Sequence, residues 1–166
     1  MKYPIGIQDF ESIISGGYVY VDKTGLIYRL VTEGKIYFLS RPRRFGKSLL
    51  VSTLKAYFKG KKELFNGLAI DGLVTEWAEY PVFHLDFNGV DFTQEGVLDN
   101  RINKWLSDYE TIYGRNPNSL NQGDRFSDLL KAAHQQTGRR AVVLIDEYDK
   151  PLLDVLDTGF STIVDG

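Results

Sequence analysis

The segment RPRRFGKS (41–48) separates two stretches of different periodicity, and it constrains the fold more than any other feature of the sequence. The run before it, KIYFLS (35–40), is rich in β-forming apolar side chains, which predicts a buried strand. After it, apolar residues recur at helical spacing from Leu49 to Phe58, which predicts an amphipathic helix that Gly60 ends. A strand that leads through such a loop into a helix lets the free N–H groups of the helix face an anion.

The rest of the chain alternates predicted strands and helices. YPVFHLDFN (80–88) predicts a strand, and Thr93 is expected to begin the longest helix. GRNPNSLNQG (114–123) has the composition of a loop, after which Asp124 opens another helix. AVVLI (141–145) is a continuous apolar run, as expected for a strand that is covered on both faces. This order predicts an α/β fold with a mostly parallel sheet.

The tripeptide GKS within the first segment fits a phosphate-binding loop. Gly46 would let the backbone approach the phosphates, Lys47 would reach the β- and γ-phosphates, and Ser48 would place its hydroxyl on Mg²⁺. The pattern G-x-x-x-x-G-K-[ST] is met at every position except the first, where Arg41 stands. An ordinary loop-to-helix junction is the alternative interpretation of the same three residues.

A second motif, VVLIDE (142–147), consists of four apolar strand residues that end in two carboxylates, as in a Walker B motif. Asp146 would hold the water shell of the metal, and Glu147 would orient and deprotonate the attacking water. The alternative is a strand that ends in solvated acids. Because α/β sheets bind ligands at the carboxyl ends of their strands, the two motifs together predict a nucleotide site more specifically than either does alone.

Composition excludes several other classes of protein. The 166 residues include no cysteine and two histidines, which rules out cysteine catalysis and argues against a zinc site. The net charge of −2 argues against a surface devoted to nucleic acid. No apolar run approaches the roughly 20 residues of a membrane span, and the N-terminus lacks the apolar core of a signal peptide. A cytoplasmic protein without a membrane partner is therefore expected.

RPRRFGKSLL, with YVDKT before it and YPVFHLDF and LIDEYDKPLL after it, resembles the AAA-ATPase-like family of bacterial and archaeal proteins across residues 3–157. The resemblance implies a P-loop NTPase-like three-layer α/β/α core, with ATP and Mg²⁺ as cofactors. It implies that Lys47 and Glu147 are catalytic and that Ser48 and Asp146 hold the metal. The expected ATP contacts are Arg43, Arg44, Phe45, Gly46, Lys47, Ser48 and Leu49.

The resemblance also bears on domain organisation. We expect a lead-in strand and helix over residues 1–34, an ATPase core over 35–157 and a tail over 158–166. Family members often continue into a domain that resembles PD-(D/E)XK nucleases, and this chain corresponds to the N-terminal part only. The core is expected to be truncated at its C-terminus, because only FSTIV (160–164) remains to fill the sheet position between the two motif strands.

Two functions remain open from the sequence. The first is Mg-dependent ATP hydrolysis, which the intact Glu147 favours. The second is a nucleotide-binding module, or a truncated pseudo-ATPase without efficient turnover, which the lack of a recognisable γ-phosphate sensor and arginine finger favours. A small-molecule kinase lacks any recognisable acceptor site. The sequence leaves open whether the chain forms a homo-oligomer.

Several other residues have two interpretations each. Arg43 and Arg44 would contact phosphates or a neighbouring subunit's nucleotide, or lie in a solvated basic loop. Asp22, Lys23 and Thr24 would line the adenine side of the pocket, or Asp22 or Thr24 would cap a helix that ends at Gly34. Asp149 and Lys150 are expected to form a local ion pair.

Overall fold

A computed structural model describes residues 1–40 and 45–154 of the chain. The chain divides into two compact units, Met1–Val82 and Phe83–Gly166, called here the N-terminal and the C-terminal unit. The described residues form an α/β fold with five named α-helices, a further helical segment over residues 150–154, one 3-10 helix and a parallel sheet of two strands. The α/β class and the parallel sheet were therefore predicted correctly, and the three-layer P-loop architecture stays a prediction.

The N-terminal unit is helical. Its elements are α1 (Phe10–Ser15), α2 (Thr24–Glu33), α3 (Lys47–Phe58) and the 3-10 helix (Lys62–Phe65). The N–H of Phe10 donates to the Ser52 hydroxyl at 2.9 Å, which ties the start of α1 to α3. The aromatic rings of Phe10 and Phe65, both fully buried, pack with their centroids 4.9 Å apart. These contacts form a small apolar core beneath α3.

Asp22 and Thr24 form a hydrogen-bonded turn at the start of α2, whose N-cap residue is Lys23 and makes no side-chain capping bond. Oδ1 of Asp22 accepts hydrogen bonds from the N–H and the hydroxyl of Thr24, and its Oδ2 accepts from the N–H of Ala69 at 2.7 Å. Burial tends to raise the pKa of Asp22, but the hydrogen bonds from Thr24 and Ala69 hold that pKa below its usual value. The hydroxyl of the fully buried Thr24 in turn accepts from the N–H of Ile70. The prediction that Asp22 or Thr24 caps α2 was therefore wrong, since Lys23 is the N-cap residue, and a contact of these residues with adenine stays a prediction.

The prediction of a buried strand over residues 35–40 was wrong. These residues belong to no strand, and the side chains of Ile36 and Phe38 are 94% and 74% exposed. The β-preference of a short apolar run is realised only when a neighbouring strand supplies hydrogen bonds. Among the described residues, the one sheet consists of two strands from a later part of the chain.

Those strands, β1 (Val82–Asp86) and β2 (Val142–Asp146), are accompanied in the C-terminal unit by α4 (Val97–Tyr113) and α5 (Gln122–Thr137). The buried core of this unit joins one strand to both helices, and it consists of Phe83, Leu106, Leu129 and Ala133. Burial alternates along β2, where Val143 and Ile145 are 38% and 47% exposed. The expectation that this strand is covered on both faces was therefore wrong, since alternation is typical of a sheet covered on one face.

The starts of the two long helices lie away from their predicted positions. α4 begins four residues after Thr93, because the Asp91 carboxylate accepts from the Thr93 N–H in a local turn and Gly96 then adopts a left-handed φ of +78°. α5 begins before Asp124, because the side chain of Asn121 caps it by accepting from the Asp124 N–H at 2.9 Å. Local hydrogen bonds decide both boundaries.

A buried ion pair joins α4 to α5. Nε and Nη2 of Arg125 donate to the two carboxylate oxygens of Glu110 at 2.7 and 2.8 Å, and Nη1 donates to Asn103. The side chains of Glu110 and Arg125 are only 8% and 11% exposed. The hydrogen bond from Arg125 holds the pKa of Glu110 below its ordinary value. Bidentate geometry of this kind fixes the register between the two helices.

None of the helices within the described residues is both long enough and apolar enough to cross a membrane.

Candidate functional site

The predicted site residues fall into two sets. Phe45, Gly46, Lys47, Ser48 and Leu49 belong to the N-terminal unit, at the start of α3. The carboxylates of the Walker B-like motif belong to the C-terminal unit, at the end of β2.

The remaining predicted nucleotide contacts, Arg43 and Arg44, lie outside the described residues, as do Arg41 and the FSTIV segment (160–164). Their roles stay predictions.

Gly46 forms the turn that opens α3. It is the N-cap residue, with a left-handed φ of +74°, and no atom of the described residues lies within 4 Å of the position that a Cβ would occupy. Its carbonyl oxygen accepts the first helical hydrogen bond, from the N–H of Leu50 at 3.0 Å. A left-handed turn suits glycine because other residues are strained there. The open space beside Gly46 is therefore available to a ligand that approaches the backbone.

The first turn of α3 has the electrostatics of an anion site. Lys47 and Ser48 are its first two residues, and among the described residues no side chain caps this end of the helix. The turn contains no acidic residue, so the partial positive charge of the helix N-terminus is not offset by the helix itself. Because α3 is twelve residues long and bears the lysine at this end, the arrangement is suited to phosphate.

Phe45 and Leu49 flank this turn in different environments. The ring of Phe45 is 62% exposed. Leu49 is half-buried, and its carbonyl oxygen accepts from the hydroxyls of Ser52 at 3.0 Å and Thr53 at 2.7 Å. Leu49 thus contributes to the packing of α3, and a contact of either residue with a nucleotide stays a prediction.

In the C-terminal unit, β2 ends at a nearly buried carboxylate. Asp146 is 7% exposed, its Oδ1 accepts from the N–H of Glu147 at 3.0 Å, and its carbonyl oxygen accepts from the N–H of Phe87 at 3.2 Å. A carboxylate held this way at a strand end is a suitable oxygen donor for a hard cation.

Glu147 adopts an unusual backbone conformation. Its φ is +52°, and it is the one residue other than glycine with a positive φ among those that the structure describes. A left-handed conformation costs a residue with a Cβ about 1–2 kcal/mol. Such strain persists only where the surrounding structure holds it, and it occurs frequently at functional sites.

The residues after Glu147 correct one expectation. Lys150 forms its ion pair with Asp154, with Nζ at 2.8 Å from Oδ2, and not with Asp149. Residues 150–154 are helical, so that Lys150 and Asp154 meet at i, i+4 spacing. Oδ1 of Asp149 is buried without a hydrogen-bond partner in the described part of the chain. The i, i+4 spacing of Lys150 and Asp154 in the sequence is the pattern that indicates this ion pair.

Each of the two sets contains an oxygen donor of the kind that Mg²⁺ prefers. Mg²⁺ prefers oxygen ligands, and in nucleotide sites it takes one or two ligands from the protein and the rest from phosphates and water. The Ser48 hydroxyl and the Asp146 carboxylate are oxygen donors of this kind, and that either of them holds Mg²⁺ stays a prediction. The described residues contain no group of three or more His, Cys, Asp or Glu side chains that would hold a metal by themselves.

Comparison with known proteins identifies the family. The model of the AAA-ATPase-like family, described as "Predicted AAA-ATPase", matches residues 4–165. A protein of Azotobacter chroococcum mcd 1, described as "Uncharacterized protein in vnfD 5'region", is 43% identical over 156 residues. That match covers 93% of this chain and 30% of the relative, so the chain spans less than a third of the relative's length. No solved structure matches the chain.

The chain therefore belongs to the AAA-ATPase-like family, as the sequence motifs indicated.

Proposed function

We propose that this member of the AAA-ATPase-like family binds ATP and hydrolyses it in the presence of Mg²⁺. The observation that carries the proposal is the turn at Gly46, which leads into a helix N-terminus that no described side chain caps and whose first two residues are Lys47 and Ser48. Phosphate-binding loops use the same combination of glycine, free N–H groups and lysine.

In this proposal the first turn of α3 binds the phosphates. The N–H groups of that turn donate to phosphate oxygens, and the Lys47 ammonium neutralises charge on the β- and γ-phosphates. Arg43 and Arg44, which precede the turn in the sequence, add positive charge for the phosphates of the same or a neighbouring subunit's nucleotide. Ser48 supplies a hydroxyl ligand for Mg²⁺, which, when bound, stabilises the charge that develops on the phosphates.

The two carboxylates after β2 have separate roles. Asp146, nearly buried and hydrogen-bonded, holds the metal through its water shell. Glu147 orients a water molecule and accepts its proton as that water attacks the γ-phosphate. The left-handed backbone of Glu147 supports this role, because the end of a strand is where an α/β fold places reactive side chains. We propose that the two sets act on one nucleotide because both motifs occur in one sequence of this family.

Nucleotide binding without efficient turnover is the second candidate. The chain spans 30% of its Azotobacter relative, and residues that act on the γ-phosphate in the whole protein would then come from outside this segment. A downstream nuclease-like domain or a second copy of the chain are the partners that we propose for such a contribution.

The experiment that separates the two candidates combines binding with turnover. Titration calorimetry with Mg·ATP measures affinity, and phosphate release measures hydrolysis, for the wild type and for Glu147→Gln and Asp146→Asn. We expect Glu147→Gln to bind ATP with unchanged affinity and to lose most turnover, because glutamine holds water but cannot take its proton. Asp146→Asn is expected to require more Mg²⁺. Binding without phosphate release by the wild type would support the second candidate, and absence of binding would refute both.

A further inference from the structure

We propose that Asp154 is a positioning residue for Glu147, which it holds in place through Lys150 and the loop after β1. The inference rests on the proposed function, in which Glu147 accepts the proton of the attacking water. All of the contacts that carry it lie within the C-terminal unit.

Asp154 makes hydrogen bonds in two directions. Its Oδ2 accepts from the backbone N–H of Phe92 at 3.1 Å. Its two carboxylate oxygens also accept from the Lys150 ammonium, at 3.1 Å for Oδ1 and 2.8 Å for Oδ2. The side chains of Lys150 and Asp154 are 27% and 20% exposed, so this pair is far more protected from water than a surface ion pair.

Lys150 connects Asp154 to the turn of residues 147–150. Its backbone N–H donates to the carbonyl oxygen of Glu147 at 3.0 Å, which closes the turn that begins in the left-handed conformation. The Lys150 ammonium lies 5.9 Å from the centroid of the Phe92 ring. Lys150 therefore touches the Glu147 turn with its backbone and Asp154 with its side chain.

The loop after β1 donates a hydrogen bond to each end of the segment of residues 146–154. At one end the N–H of Phe87 donates to the carbonyl oxygen of Asp146 at 3.2 Å, and at the other the N–H of Phe92 donates to Asp154. The rings of Phe87 and Phe92 pack with centroids 5.8 Å apart, and Phe92 is 5% exposed. The ring of Phe87 also packs edge-on against the buried Trp105 at 4.9 Å. The two loop residues that hold the segment, Phe87 and Phe92, are thus part of an aromatic cluster.

This arrangement explains how a strained glutamate is held. The left-handed backbone of Glu147 would relax if the segment were fastened only at Asp146. The hydrogen bond from the Phe92 N–H to Asp154 holds the residues that follow the turn. It therefore also holds the direction in which the Glu147 side chain leaves the backbone. Displacement of a catalytic group by 1 Å costs up to about 100-fold in rate, so the fastening affects turnover more than ATP affinity.

The test compares Asp154→Ala and Asp154→Asn with the matched control Asp108→Asn. Asp108 forms an i, i+4 ion pair with Lys104 that is of the same kind but 58% to 63% exposed, on α4. We expect Asp154→Ala to lower kcat by about tenfold, which equals about 1.4 kcal/mol in the barrier, with the Kd for Mg·ATP unchanged. Asp154→Asn keeps an oxygen that accepts from the Phe92 N–H, and its kcat is expected to fall less than that of Asp154→Ala. The control is expected to behave as the wild type.

Two further measurements distinguish positioning from a merely structural role. In a Glu147→Ala background, Asp154→Ala is expected to cause no additional loss of the residual rate, because no side chain that orients the water is left at position 147 to be positioned. Amide hydrogen exchange on the ligand-free protein is expected to speed up over residues 146–150 in Asp154→Ala and not in the control. This second readout does not depend on any activity.

The outcomes bear separately on the two proposals. A wild type that hydrolyses ATP, with kcat unchanged in both Asp154 variants, overturns the positioning role and leaves the proposed function intact. An equal loss in the wild-type and Glu147→Ala backgrounds, or a rise in Kd that matches the fall in kcat, also overturns it. If Asp154→Ala does not fold, Asp154→Asn decides by the same criteria. A wild type without ATP turnover overturns hydrolysis and the positioning role together.

Discussion

The backbone N–H of Glu147 donates to Oδ1 of Asp146 at 3.0 Å, and Glu147 is the residue at which the backbone leaves the strand with a φ of +52°. Side chains alternate between the two faces of a strand, and the left-handed residue ends that alternation directly after β2. The direction of the Glu147 side chain is therefore set by the turn, and that of Asp146 by the strand. Two adjacent carboxylates thus have different backbone geometries.

Replacement of Glu147 by glycine tests whether this geometry is strained. Glu147→Gly is expected to raise the free energy of unfolding, or to leave it unchanged, because relief of about 1–2 kcal/mol of left-handed strain is partly offset by the greater freedom of glycine in the unfolded chain. Turnover is expected to be lost. Urea unfolding measures the first effect and phosphate release the second. Glu147→Gln, which keeps the left-handed strain, is the control. A Glu147→Gly protein that is clearly less stable than the Glu147→Gln protein would contradict the account.

Gly46 offers a test with a closely matched control. Gly46 and Gly67 have φ values of +74° and +76°, and at neither glycine does an atom from the described part of the chain lie within 4 Å of the position that a Cβ would occupy. Substitution by alanine at either position is expected to lower the free energy of unfolding by about 1 kcal/mol. Gly46→Ala is also expected to weaken Mg·ATP binding by at least about tenfold, roughly 1.4 kcal/mol, because its methyl group fills space next to the phosphates. Calorimetric titration checks this, and equal affinity in both variants would refute a phosphate contact at Gly46.

The buried pair of Glu110 and Arg125 predicts a specific pH dependence of stability. The hydrogen bond from Arg125 lowers the pKa of Glu110 in the folded state, so the stabilisation is fully present above the ordinary glutamate pKa of about 4.3. It is lost as the pH falls through the lower, folded-state pKa. Glu110→Gln is expected to cost roughly 3 kcal/mol at pH 7, because it leaves the Arg125 charge buried without its partner.

Denaturant unfolding between pH 7 and pH 3 measures this dependence. The difference between the wild type and Glu110→Gln is expected to shrink as the pH falls below about 4. Asp108→Asn, which removes an exposed pair on the same helix, is expected to stay within about 0.5 kcal/mol of the wild type throughout. A constant difference for Glu110→Gln over this range would contradict the assignment of the low pKa to the pair.

Local chemistry explains which parts of the fold were predictable from the sequence. α2 and α3 end where Gly34 and Gly60 stand in the sequence, within two residues, and Gly138 ends α5. Lys47 and Glu147 could be proposed as site residues from the sequence because each belongs to a short motif. Such signals act over a few residues and need no knowledge of the tertiary structure.

The parts that could not be predicted depend on contacts distant in the sequence or on competing local bonds. The run at residues 35–40 has strand composition, but its state depends on a partner strand. The side-chain hydrogen bond of Asp91 displaced the start of α4, and no periodicity reveals such a bond. The link from Asp154 to Phe92 spans 62 residues, so no local pattern indicates it.

The measurement that tests the central claim most directly is calorimetric titration of the wild type, Lys47→Ala and Lys59→Ala with Mg·ATP. Both lysines belong to α3 or its cap, but Lys47 begins the helix and Lys59 caps its other end. We predict that Lys47→Ala loses about 10- to 150-fold in affinity, as expected for a charge-assisted contact worth about 1.5–3 kcal/mol, while Lys59→Ala binds as the wild type does. A folded Lys47→Ala protein with wild-type affinity, or a wild type that does not bind Mg·ATP, would contradict the claim that the start of α3 binds the phosphates of ATP.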